Sequence, residues 1–167
     1  MTLKKNIILF CALGLLASAV SPTAIVFADS ITNSEQRNDE QFDPDFQING
    51  SILEENGFTS KEIEAFNNYE SPGIYLENGK AFINGVEQLD MQRGKFTWAV
   101  KAIRKVWNKL PAGVRNTISG YVGINGFLNL IEHYTGTLEN AIFNACKKVG
   151  MPTGVANFVT KTIMLFI

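Results

Sequence analysis

Histidine occurs once, at His133, and cysteine twice, at Cys11 and Cys146, so the chain is poor in metal-ligating and nucleophilic side chains. A zinc site needs about four ligands drawn mostly from Cys and His, which this set does not supply. A Cys146–His133 nucleophile pair lacks a third group to orient the imidazole. Glu132 and Tyr134 flank His133 in sequence, but adjacent residues on a helix do not face each other. His133 therefore reads as a partly buried structural residue. The stretch Gly120-Tyr121-Val122-Gly123-Ile124-Asn125-Gly126 has neither the spacing nor the preceding strand of a phosphate-binding loop. Its glycines suit tight turns or close helix approach. Long apolar runs are scarce too. The one at 7–20 is broken by Ser21, Pro22 and Thr23 before it reaches the ~20 residues of a bilayer span. No repeat and no low-complexity tract is present. These absences point away from an enzyme, with no cofactor and no metal expected.

The net charge of −1 conceals a strong division along the chain. Residues 29–90 hold 14 acids against 3 bases, and residues 91–167 hold 10 bases against 2 acids. Opposite signs in two parts of one chain bear on partners, where the net value does not.

The N-terminus has the order of an export signal. Lys4 and Lys5 form a positive start, the apolar run follows, and Val26-Phe27-Ala28 places suitable residues before Asp29. Cleavage between Ala28 and Asp29 is expected, giving a secreted, extracellular protein. Ile8-Leu9-Phe10 before Cys11 lacks the small residue of a lipoprotein site. Loss of residues 1–28 leaves Cys146 as a lone cysteine, either a buried small hydrophobe or half of an intermolecular link.

Residues 29–90 read as an acidic pro-region. Up to residue 50 the stretch is polar, and disorder is expected. Beyond it, Thr59-Ser60-Lys61-Glu62 fits a capping box, with Ile63 and Phe66 on one helix face ending near Glu70-Ser71-Pro72-Gly73. Asn78-Gly79 between two β-prone runs, Ile74-Tyr75-Leu76-Glu77 and Lys80-Ala81-Phe82-Ile83, is a strong hairpin signal, and Asn84-Gly85 follows at once. The junction holds Leu89, Asp90, Met91, Gln92 and Arg93 ahead of Gly94. It suits a protease if exposed, and equally an ordinary surface loop.

Residues 91–167 predict about five short helices. In 95–110, Phe96, Ala99, Val100, Ile103, Val106, Trp107 and Leu110 recur at steps of three and four. Pro111 ends that helix or starts the next. Val114, Ile118 and Val122 suggest a second helix, and Phe127, Leu128, Leu130, Ile131 and Tyr134 a third. Thr137 caps a fourth that Gly150 closes, and Pro152 opens a last one. Helices this short are marginal alone and must pack together. The fold class expected is thus mainly α: a small helical bundle, preceded by a signal peptide and an acidic leader with one helix and a candidate β-hairpin.

The helix at 95–110 is the most informative segment. Lys95, Lys101, Arg104, Lys105 and Lys109 lie mainly off its apolar stripe. A basic face opposite an aromatic-rich one suits an anionic membrane surface, where Trp98 and Trp107 would keep their N–H groups wet. The same pattern suits a core helix of a basic globular domain, with Trp107 packed inside. Nucleic acid is disfavoured as a partner of an exported chain with few bases.

Three blocks carry a resemblance. Lys105-Val106-Trp107-Asn108-Lys109-Leu110-Pro111, the run from His133 to Ile142 and the run from Cys146 to Pro152 look like blocks of the secreted bacteriocin precursors of Gram-positive cocci, the enterocin EntV family. The resemblance covers 95–167. It implies a preproprotein from which a secreted protease releases a compact helical antimicrobial peptide acting on competing bacteria or on fungal growth. It also implies an internal disulfide, from which this chain departs by having only Cys146 in that region. The expected function is a bacteriocin-type precursor with a processing protease and a microbial membrane or cell surface as partners. Lys95, Trp98, Lys101, Arg104, Lys105, Trp107 and Lys109 are the expected target contacts. The alternative is a secreted, non-enzymatic binding or signalling module that works uncleaved.

Overall fold

The computed structural model describes residues 41–88 and 96–167, which form a mainly helical fold with one small antiparallel sheet. The expected export signal with Ala28 and Asp29, the cleavage zone at Leu89, Asp90, Met91, Gln92 and Arg93, and Lys95 lie outside the described residues.

The acidic leading segment, 41–88, contributes α1 (Gly50–Glu55) and α2 (Ser60–Asn67). The capping box of α2 forms as the sequence predicts. The Thr59 hydroxyl accepts from the Glu62 amide, and the Glu62 carboxylate accepts from the Thr59 amide at 2.7 Å. The helix stops at Asn67, three residues ahead of the Glu70 breaker. Next come β1 (Ile74–Glu77) and β2 (Lys80–Ile83), joined by Asn78 at φ 49° and Gly79 at φ 79°. Two successive positive φ values give the turn whose twist matches a hairpin. Asn84 and Gly85 repeat it at φ 49° and 77° and add a strand that the sequence pattern does not announce, β3 (Val86–Glu87).

The helical part holds α3 (Thr97–Val106), a 3-10 turn (Trp107–Lys109), α4 (Ala112–Tyr121), α5 (Gly123–Glu132), β4 (Gly136–Thr137), α6 (Leu138–Lys148) and α7 (Thr153–Phe166). Leu110, held extended ahead of Pro111 at ψ 144°, separates α3 from α4. Gly123 at φ 71° breaks α4 from α5. Val122, expected on the apolar stripe of α4, falls at this break and is exposed. Thr137 caps α6 by accepting from the Asn140 amide at 3.2 Å.

The sheet runs in the order β3-β2-β1-β4, so the leader hairpin pairs with a strand of the helical part. Tyr75 opposes Thr137 and Leu76 opposes Gly136 across β1 and β4. On the other side of β1, Tyr75 stacks on Phe82 with ring centroids 4.9 Å apart.

α7 is buried all round from Val155 to Met164, Asn157, Thr160, Lys161 and Thr162 included, so it is a helix enclosed on every side. It packs along α6 and meets α3, while α2 of the leader covers a further side. Leu53, Phe58, Phe66 and Leu76 of the leader are buried in one cluster with Phe143, Phe158 and Ile163. A single apolar core therefore crosses the sign change in charge. The first part of the stretch for which composition suggests disorder, 29–40, lies outside the described residues, whereas 41–50 lies folded on α6 and α7.

Candidate functional site

The apolar stripe of α3 turns inward, with Ala99 and Ile103 buried, and this fixes where its cations point. Lys101, Arg104 and Lys105, at spacings of three and four, stand exposed on one side, and Lys109 extends the row from the 3-10 turn. Among the described residues no carboxylate pairs with any of the four; Arg104 Nη1 instead donates to Asn125 Oδ1 at 3.0 Å. The structure thus brings together four of the expected contact residues as a solvent-facing basic row.

The two tryptophans are placed differently. Trp98 and Trp107 are half-buried against the core, and Trp98 meets Phe96 edge-on at 6.3 Å. The Trp98 indole N–H is shut away from solvent with no acceptor among the described residues. The expectation of wet N–H groups at a membrane interface therefore does not hold for Trp98 in this state. The apolar stripe claims the ring for the core.

Cys146 is fully buried on α6, and burial pushes its thiol well above the usual range. A thiol held protonated in this way is a poor nucleophile and a poor partner for an intermolecular bond. We expect native protein to react with a thiol reagent slower, by roughly a hundredfold or more, than protein in denaturant, as buried groups react through opening. Equal labelling rates would place the thiol at the surface. His133, expected to be partly buried, is exposed, with Nδ1 2.9 Å from the Asn129 carbonyl oxygen. Its place at the end of α5 puts it outside the apolar stripe. Among the described residues no cluster of His, Cys, Asp and Glu could hold a metal ion.

A second arrangement, unannounced by the sequence, lies where segment 41–88 packs on α6 and α7. Phe58 and Phe66 of the leader hold Phe158 of α7 in a three-ring cluster with centroid separations of 5.7–6.0 Å. The amides of Phe42 and Asp43 donate to Asn140 Oδ1 and Asn157 Oδ1, each at 3.1 Å. The Gly113 amide, in the first turn of α4, donates to the Asn56 carbonyl at 3.1 Å. Tyr69 and Ser71 donate through their hydroxyls to Glu139 Oε1. Burial, with the Glu139 carboxylate beside it, drives the Tyr69 hydroxyl far above its usual range, so it stays a donor.

Lys161 of α7 lies within this contact at 1% exposure. Its ammonium donates to the Phe46 carbonyl at 2.8 Å and sits over the rings of Phe66 and Tyr69, 4.7 and 5.7 Å from their centroids. Burial pulls its pKa down, and the charges of Asp43 and Asp45 oppose that shift. A lone lysine in an apolar run gives a sequence signal only as an oddity; its acceptor, the Phe46 carbonyl, lies 115 positions earlier.

No protein-family model, no curated protein and no solved structure matches this chain. No helix among the described residues is long and apolar enough to cross a membrane.

Proposed function

We propose that the chain is a secreted antimicrobial precursor of the bacteriocin type. A protease cuts in the zone of Leu89 to Arg93, and the freed helical domain acts without catalysis on the membrane or surface of competing microbial cells. The observation that carries this reading is the exposed basic row on α3 and the 3-10 turn after it: Lys101, Arg104, Lys105 and Lys109 face solvent with no carboxylate partner among the described residues. Unpaired cations above an apolar stripe suit attraction to anionic cell surfaces. The charge division supports it further, since the domain from residue 91 carries 10 bases and 2 acids.

The test compares growth inhibition of indicator bacteria and yeast by the chain from Asp29, intact and after cutting between residues 88 and 96. Inhibition by the cut form, weakened by up to roughly a thousandfold when Lys101, Arg104, Lys105 and Lys109 are all changed to Gln, is the expected result at about 1 kcal/mol per cation. Equal inactivity of intact and cut protein sinks the proposal.

The shared core favours a second reading. A disposable leader has no need of rings packed into the domain it leaves, as Phe58 and Phe66 are. A binding or signalling module that works uncut would have one. The mass of the species in culture supernatant separates the two: a lone product beginning at Asp29 favours the uncut module.

A further inference from the structure

The face of α7 that the leader covers combines two features that rarely share a buried surface. It is apolar around Phe158, and it carries the buried amine of Lys161. Among the described residues, the partners of that ammonium all come from segment 41–88: the Phe46 carbonyl, the rings of Phe66 and Tyr69, and the charges of Asp43 and Asp45. Of the helical part, Glu139 on α6 shares the Tyr69 side chain with Lys161. Departure of the segment would strip Lys161 of its acceptor and rings together, and would expose Phe158 and its neighbours to water.

We infer that segment 41–88 is a docked plug, and that the surface it hides on α6 and α7, centred on Lys161, is built to meet an anionic lipid surface. The inference rests on the antimicrobial reading for its setting and adds to it a second surface, distinct from the α3 row.

The occupant follows from charge and from the helix itself. An apolar face of this kind left open to water is unstable and seeks cover. A lysine within such a face extends its ammonium toward headgroup phosphates while its stem stays among apolar chains. Glu139, which the plug also covers, lies in the first turn of α6, where the helix dipole offsets its charge. Lys147 and Lys148 stand exposed at the other end of α6. A second copy is the competing cover, but two domains each with 10 bases against 2 acids repel one another. An anionic bilayer attracts them.

The experiment uses the chain from Asp29, cut between residues 88 and 96 with both pieces retained. It is mixed with vesicles of phosphatidylglycerol and phosphatidylcholine, or of phosphatidylcholine alone, and floated on a density gradient. We expect the helical piece to float with the anionic vesicles while the 41–88 piece stays in the soluble fraction. Uncut chain should not float. Lys161→Met should keep the plug docked and lower the affinity for anionic vesicles about fivefold, the effect of one lysine near such a surface. Lys161→Arg should preserve it. Flotation of both pieces together, flotation on neutral vesicles alone, or indifference to Lys161→Met overturns the inference. So does a helical piece that sheds the plug and forms dimers without floating. Growth inhibition reports separately: a cut chain that inhibits growth but ignores Lys161→Met leaves the antimicrobial reading standing and this one fallen. Flotation without inhibition of any indicator does the reverse.

Discussion

Cutting the backbone between Gln88 and Phe96 should leave the two pieces together, eluting as one species on size exclusion even in about 1 M salt. At that ionic strength the Debye length is about 3 Å, so attraction between an acidic leader and a basic domain would be screened away. The contacts that join the parts are of another kind. Phe58 and Phe66 clamp Phe158, β1 pairs with β4, and the amides of Phe42, Asp43 and Gly113 are satisfied across the boundary. Apolar burial is not weakened by simple salt, and main-chain pairing is short-ranged. The one buried cation among these contacts, Lys161, has its charges and rings close by, where screening is slight. The Lys80–Glu87 ion pair, at 3.0 Å, lies wholly within the leader.

Gly113 gives the counter-test. A Cβ built there would stand 2.7 Å from Cβ and Cγ of Asn56, closer than real contacts allow. Gly113→Ala should therefore loosen the cut complex by about 1–3 kcal/mol, the usual cost of overpacking. If the wild-type pieces separate on cutting at low salt, these contacts do not hold segment 41–88 on the helical part. If they hold at low salt and part at about 1 M, the mask is electrostatic.

Periodicity and turn chemistry made much of this fold legible. Steps of three and four marked α3, and the glycines and Pro111 marked the joints between helices. Asn78-Gly79 marked the hairpin because both residues tolerate positive φ. Long-range pairing stayed hidden. β4 has only Gly136 and Thr137, too short for any alternation, and it is a strand only because β1 lies beside it. Phe42 and Phe46 stand in a polar stretch whose average composition argues against order, yet each is anchored on α6 or α7. Composition sums over a window, whereas docking depends on where a single ring or carbonyl falls. The basic row on α3 was readable from spacing. The burial of Lys161 was not, since its partners lie at the other end of the chain.

The largest single-residue effect is expected at Phe158, because this ring belongs to two packing systems at once. It sits on α7 within the helical core at 0% exposure, and it forms the third member of the ring cluster with Phe58 and Phe66. Phe158→Ala removes the ring and leaves a cavity bounded on both sides of the boundary. Loss of a buried Phe costs about 3–5 kcal/mol, which is a large share of the ~5–15 kcal/mol that holds a domain folded. Denaturant unfolding of the intact chain should show a midpoint lowered accordingly. Phe66→Ala should cost a similar amount in the intact chain, for it removes a ring and one of the faces beneath the Lys161 ammonium. The two differ after cutting. Phe66→Ala should weaken re-docking of the leader while leaving the sequence of the helical piece untouched, whereas Phe158→Ala should damage both. Measuring unfolding of the intact chain beside dissociation of the cut one separates a ring that binds the leader from one that also builds the core. A loss below about 1 kcal/mol for Phe158→Ala in the intact chain would mean that α7 is not enclosed from both sides, and segment 41–88 would lose its central contact.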